Sequence, residues 1–243
     1  MGRTTAKKTK TRRTIPLSAD RLRAGWPGPA GTRIRRARAQ DTEAADTLLQ
    51  TAVGQRLVPA LRSAIEDGTE GAAVLDGLDG TRKTFRKSFA HHTAGHTAAE
   101  SMSSTSLTLV ATDTQDQPVG VLSATAPANV IGKAMDAGYP GDRALALSVF
   151  IAKIHGLAVA EEARGQGIGA ALMKRAWQVY HQLDYFLLYG SYETHRDLAA
   201  FYTRCGYTVL APGEAVSLDR IALPFSVGVE DSECIFTRWR PLH

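Results

Sequence analysis

Apolar residues recur along the chain in two rhythms, and the alternation between them predicts the order of elements. Leu172, Met173, Ala176, Trp177, Tyr180 and Leu183 return every three or four residues, the stripe of an amphipathic helix. Residues 41–53, with Asp41 as N-cap, 55–66 and 196–205 carry the same period. Leu198, Phe201, Tyr202 and Cys205 lie on one side of the last of these, and Gly206 is its stop. Short apolar runs bounded by turn residues predict strands at 33–37, 107–112, 119–124, the second half of 145–159, 185–189, 207–210 and 234–240. Residues 113–118, DTQDQP, make the second and third of these a hairpin. Residues 69–90 predict one or two helices broken at Gly77 to Gly80, and the polar run 91–106 predicts a loop. Insertions fall at 127–142, with a short helix near 130–137, and at 211–231. A mixed α/β (α+β) fold follows, with about seven strands in a central sheet and about four or more helices on its faces.

The stretch 154–171, IHGLAVAEEARGQGIGAA, runs from strand through glycine loop into helix. Alternating glycines give the backbone unusual dihedrals and let a ligand approach closely. The first N–H groups of the helix have no internal partner and attract an anion such as a pyrophosphate. A P-loop needs Lys-Ser/Thr after its glycines, and none follows here. A dinucleotide fold needs an acidic residue at the end of the next strand. Asp184 instead precedes the next apolar run, and 74 residues after Gly169 are too few for a doubly wound sheet.

Arg164-x-x-Gly167-x-Gly169, after a strand ending Leu157-x-Val159, resembles the [QR]-x-x-G-x-[GA] signature of the GNAT superfamily of CoA-dependent N-acyltransferases. Phe201-Tyr202-x-x-x-Gly206-Tyr207 is similar to that family's second motif, and Ile34-Arg35-Arg36-Ala37 with Asp41 and Leu48 to its opening. The resemblance spans about residues 31–240 and implies a GNAT fold. It also implies acetyl-CoA as co-substrate and transfer of its acetyl group to a primary amine, on a small molecule or a protein. On that resemblance, the backbone of Arg164, Gly165, Gln166, Gly167, Ile168, Gly169 and Ala170 holds the pyrophosphate. Leu157, Ala158 and Val159 pair with the pantetheine arm. His195 stands where the family carries an Asn that contacts the same arm.

For the base, strand alternation sets Lys153, His155, Leu157 and Val159 on one face. Arylalkylamine N-acetyltransferases carry H-x-H-x-L-A-V where this chain reads Lys153-x-His155-x-Leu157-Ala158-Val159, which makes His155 the candidate base. A histidine held inside the sheet is the equal alternative, and Glu161 or Glu162 the substitutes. Tyr202, the tyrosine of the second motif, is the candidate acid for the departing thiolate. Two other readings stay open: a GNAT-fold transferase with a tRNA-linked substrate, and a non-catalytic acyl-CoA or nucleic-acid-binding protein.

Charge divides the chain. Residues 1–40 hold 12 Lys/Arg and one Asp, whereas the remainder holds 17 basic and 23 acidic residues, so the overall +5 comes from the N-terminus. Residues 1–30 read as a basic, disordered tail and linker before a domain at 31–243. The tail is a solvated terminus or a contact for RNA or another polyanion, and the acidic body suits a cationic acceptor. Two cysteines form neither a disulfide framework nor a metal site, and His91, His92 and His96 lack a second ligand cluster, so no metal is expected. No apolar run reaches the ~18 residues of a membrane helix, and no signal segment opens the chain. A cytoplasmic protein, alone or as a homodimer, is the expectation.

Overall fold

The structure, a computed structural model, describes residues 16–241. In chain order the helices are α1 (Ala19–Ala24), α2 (Thr42–Val53), α3 (Pro59–Glu66), α4 (Ala72–Asp79), α5 (Arg82–Thr93), α6 (Ala98–Thr105), α7 (Ala128–Asp136), α8 (Gly141–Leu145), α9 (Ile168–Gln182) and α10 (Ala199–Arg204). The strands are β1 (Trp26–Pro27), β2 (Arg33–Arg36), β3 (Leu107–Thr112), β4 (Pro118–Thr125), β5 (Ile151–Val159), β6 (Leu187–Glu193), β7 (Thr208–Val209), β8 (Val216–Ser217), β9 (Ser226–Val227) and β10 (Glu233–Trp239). The expected mixed sheet is present: among the described residues eight strands run in the order β1-β2-β3-β4-β5-β6-β10-β7. Every neighbouring pair is antiparallel except β5 and β6, which are parallel and joined through α9.

One face of the sheet buries Leu122, Ile154 and Phe236 against α1, α4, α5, α9 and α10. The other packs Val110, Val121 and Ala158 against α2 and α3. Farther along that face, Ile151, Tyr189 and Ile235 meet the excursion that carries β8 and β9. A buried ion pair fixes the start of the domain: Arg35 and Asp41 meet at 2.6 Å with almost no exposure, and Asp116 of the β3–β4 turn joins at 3.0 Å.

Three expectations change. Residues 1–15, the first half of the expected tail, lie outside the described residues. The second half folds: Ser18 caps α1, Ala19 and Leu22 are fully buried, and Trp26 begins a strand paired with Ile34. The expected linker at 25–31 is therefore part of the domain, because Trp26, with Ala19 and Leu22 of α1 just before it, is buried in the core that holds α4 and α9. The polar run 91–106 is largely helical. Thr97 and Glu100 form a capping box that starts α6, and Ser101, Ser103 and Ser104 return their hydroxyls to carbonyls one turn back. Those bonds let the helix be buried despite its polarity. Finally, the helix expected from 196 begins at Ala199, because Asp197 adopts a left-handed backbone that separates it from the turn Thr194–Arg196.

Candidate active site

β5 and β6 pair only from Ile151↔Leu187 to Ile154↔Gly190. Beyond that point β5 stays with β4 as far as Val159↔Gly120, and β6 stays with β10 as far as Glu193↔Glu233. The two strands part, and the wedge between them is a cavity of about 570 Å³. The backbone of β5 from Gly156 to Val159 has no strand on its β6 side.

The β4–β5 register slips at the same level. Ser123 faces Gly156 and Ala124 faces Ile154, so His155 is an extra residue, a β-bulge. The bulge breaks the expected alternation. Leu157 and Val159 turn with Ile154 toward the α9 layer, whereas Gly156 and Ala158 face α2. His155 therefore does not share a face with Leu157 and Val159. Its Nε2 lies 3.0 Å from the Arg56 carbonyl oxygen in the α2–α3 connection. A carbonyl only accepts, so Nε2 carries the hydrogen and Nδ1 keeps the lone pair. Burial, with help from the Lys153 charge, holds the imidazole below its ordinary pKa against the raising effect of the Arg56 carbonyl.

β5 ends in the loop that turns into α9. Gly165 and Gly167 have φ of +76° and +81°, the left-handed region that other residues enter at a cost. Gly167 is the N-cap, with no side chain over the first turn, so the N–H groups of Ile168, Gly169 and Ala170 lack intrahelical partners. The Ile168 side chain is buried and anchors the helix, while Gln166 and Ala170 are exposed. Gly169 sits against Phe201 and Val159, and Pro29 lies beside Gly167. Arg164 folds back, its Nε donating to the Val159 carbonyl at 3.2 Å. Open space in front of Gly165, bare N–H groups and an unpaired strand edge fit a pyrophosphate joined to an extended amide-bearing arm.

Tyr202 reaches the cavity from α10. It is 5% exposed and its ring stacks on Phe236 at 3.7 Å, with Tyr192 on a further stacked contact at 5.3 Å. Burial pushes its phenol well above the ordinary value, so it stays protonated. His195 is elsewhere: its exposed ring lies 3.6 Å from Glu193 Oε2, outside the cavity wall. Glu161 and Glu162 occupy an exposed 3₁₀ turn and also stay outside it.

The wall includes residues that the motifs do not mark. Ser191 donates to Glu233 at 3.1 Å, and Arg196 holds Glu193 at 3.1 Å. With Gln55 they border the opening on the α2 side. Only the β6–β10 register brings Glu193 and Glu233 together, across 40 residues of sequence. Among the described residues no group of three His, Cys, Asp or Glu is placed to hold a metal ion.

Residues 104–209 match the family profile of the Acetyltransferase (GNAT) domain, a span that contains β3 to β7 and the whole glycine loop. Over that span the chain is thus similar to a GNAT acetyltransferase domain. No curated protein matches the chain by sequence. Among solved structures, Ard1 from Thermoplasma volcanium aligns at 16% identity over 87% of this chain and 97% of its own, with a TM-score of 0.45. NAA60 of Arabidopsis thaliana, solved with acetyl-CoA, aligns at 12% over 86% and 98%, with a TM-score of 0.48.

Proposed function

We propose that the protein transfers the acetyl group of acetyl-CoA directly to a primary amine. The observation that carries this is the parting of β5 and β6 beneath the bare N-terminus of α9, with Tyr202 in its wall. Acetyl-CoA, the substrate, brings an acetyl group activated as a thioester. The N–H groups from Gly165 to Ala170 hold its pyrophosphate, and the free edge of Leu157, Ala158 and Val159 takes the arm as an added strand. The Arg164 guanidinium stands at the same corner and adds positive charge.

The acceptor enters from the α2 side, past Gln55, Glu193 and Glu233. Glu233, which accepts the Ser191 hydroxyl, favours a cation there and positions the nitrogen for attack once its proton is gone, whereas Glu193 is already paired with Arg196. Nδ1 of His155 takes a proton from that ammonium, directly or through one water, and the depressed pKa keeps it unprotonated near neutrality. The freed amine bonds to the thioester carbonyl carbon, and Tyr202 gives its proton to the sulfur as the C–S bond breaks. The second proton, lost by the new amide nitrogen, restores the phenol, whose raised pKa favours the protonated form.

The test is calorimetry with CoA and acetyl-CoA, followed by thiol release against a panel of small amines and amine-bearing peptides. The expected result is saturable CoA binding that raises the melting temperature by mass action. Folded protein that binds neither compound would overturn the proposal.

A further inference from the structure

The end of the molecule opposite the cavity is built differently. There the C-terminus of α9, the starts of β5 and β6 and the finish of β10 come together. It stands about 22 Å from the glycine loop, the rise of 15 helical residues.

Three observations meet at that end. The first is a groove of about 400 Å³ with Trp177 and His181 on one side and Arg238 and Trp239 on the other. Arg238 lies 4.2 Å over the Trp177 ring, and Arg220 lies 5.3 Å over Trp239. The second is a band of cations and rings that continues from it. Arg240 bonds Asp184 at 2.5 Å, and Arg82 reaches the same carboxylate at 3.4 Å, so that acid is neutralised. Phe186 stacks on Phe150 at 5.7 Å, with Arg86 5.0 Å over the Phe150 ring. α5 extends the band with exposed Lys83 and Lys87 and contains no acidic residue. The third is the entry of the N-terminus. Leu17 exchanges both main-chain bonds with the Gln182 side chain, at 2.8 and 2.7 Å, on the last turn of α9. The 15 residues before Pro16 carry six Lys/Arg and no Asp or Glu, and they join the fold beside this band.

A polyanion explains the arginines and lysines, but not two tryptophans and two stacked phenylalanines among them. Single-stranded nucleic acid supplies both phosphates and bases with open faces. The body beyond residue 40 is net acidic, so a concentration of cations at one end is not the general character of the surface. We infer that this end of the protein, from Trp177 and Trp239 across Phe186 to α5, binds single-stranded nucleic acid.

The test uses the full chain and fluorescein-labelled 20-nucleotide RNA and DNA of mixed sequence, single-stranded and duplex, read by anisotropy at several salt concentrations. The comparison protein carries Lys83→Gln, Arg86→Gln, Lys87→Gln and Arg220→Gln, all exposed and remote from the cavity. Wild-type protein binds the single strands at least tenfold more tightly than the duplexes, and the RNA and DNA arms show which sugar is preferred. The variant melts as wild type, keeps its CoA binding, and loses at least tenfold in affinity. Its salt slope falls by about 0.7 for each phosphate contact removed. Unchanged affinity in the variant, equal binding of duplex, or equal competition by polyglutamate or phosphatidylserine vesicles would each overturn the assignment.

Discussion

Replacing Gly190 by Ala tests whether the cavity depends on how β5 and β6 separate. Gly190 is the last β6 residue paired with β5. A Cβ there would overlap Cζ of Phe236 and lie 2.9 Å from the Ile154 carbonyl oxygen and 3.0 Å from Phe236 Cε1. The ring has little room to yield. Phe236 is 1% exposed, stacked on Tyr202 at 3.7 Å, and met edge-on by Tyr207 at 5.5 Å. Overpacking of a filled core costs about 1–3 kcal/mol. At about 2–4 °C per kcal/mol for a domain of this size, the melting temperature should fall by about 2–12 °C. The relief comes from tilting Phe236, which moves Tyr202, or from lengthening the Ile154–Gly190 pair, which moves the throat. A catalytic group misplaced by about 1 Å costs up to about 10²-fold, so kcat should drop further than the stability loss explains. Thermal melting and steady-state thiol release at saturating acetyl-CoA measure both. Adding Phe236→Leu makes room for the new methyl, so the double variant should lose less stability than the two single changes combined. A melting temperature within about 1 °C of wild type, with unchanged kcat, would show that the strands and ring adapt freely and would refute the packing argument.

Leu22→Ala should cost about 2–5 kcal/mol in a thermal or denaturant melt, because the side chain is fully buried; no change would restore a disordered segment there. Tyr202→Phe keeps the stacked ring and removes one hydroxyl, so kcat should fall by about two to four orders of magnitude while the CoA dissociation constant measured by calorimetry holds. Because the folded-state pKa of His155 lies below its ordinary value, the acid limb of kcat/KM should begin below about pH 6.5; His155→Ala should remove that limb, and alkaline pH should partly restore its rate. By the same shift the unfolded chain binds more protons than the folded one as pH falls through about 6.5, so this histidine makes wild-type stability decline on that side and His155→Ala should flatten the decline.

The sequence makes the strand–glycine loop–helix unit legible because its signals are local. Gly165 and Gly167 are needed for their own backbone, and the period of α9 is its own. β3 is found where the apolar run places it. What the sequence conceals depends on partners distant along the chain. Glu193 and Glu233 become neighbours only through the β6–β10 register. Leu22 and Trp26 sit among basic and small residues, and their burial depends on α4 and α9. The α6 region reads as loop by polarity, although Thr97-x-x-Glu100 is a helix start visible to anyone who looks for caps before hydropathy. His195 illustrates the reverse limit: its position in the motif does not say whether its ring faces the cavity, and in this fold it pairs with Glu193 outside.

The bulge and the cleft have one physical origin. An extra residue in a strand bends it and increases its twist. The extra residue is His155, and β5 leaves β6 immediately beyond Ile154 while its bonds to β4 continue to Val159. A regular β5 would alternate through Ile154, His155 and Gly156, and nothing on the β4 side would turn it away from β6. Gly156 completes the bend: a Cβ there would strike Leu49 Cδ2 at 2.6 Å, so the close approach of α2 to the bent strand needs a residue without one. The same insertion also sets where the histidine goes. It releases His155 from the Leu157–Val159 face and turns it to the Arg56 carbonyl, at the level where the strands divide. The residue that marks the opening of the site is therefore also the proposed base.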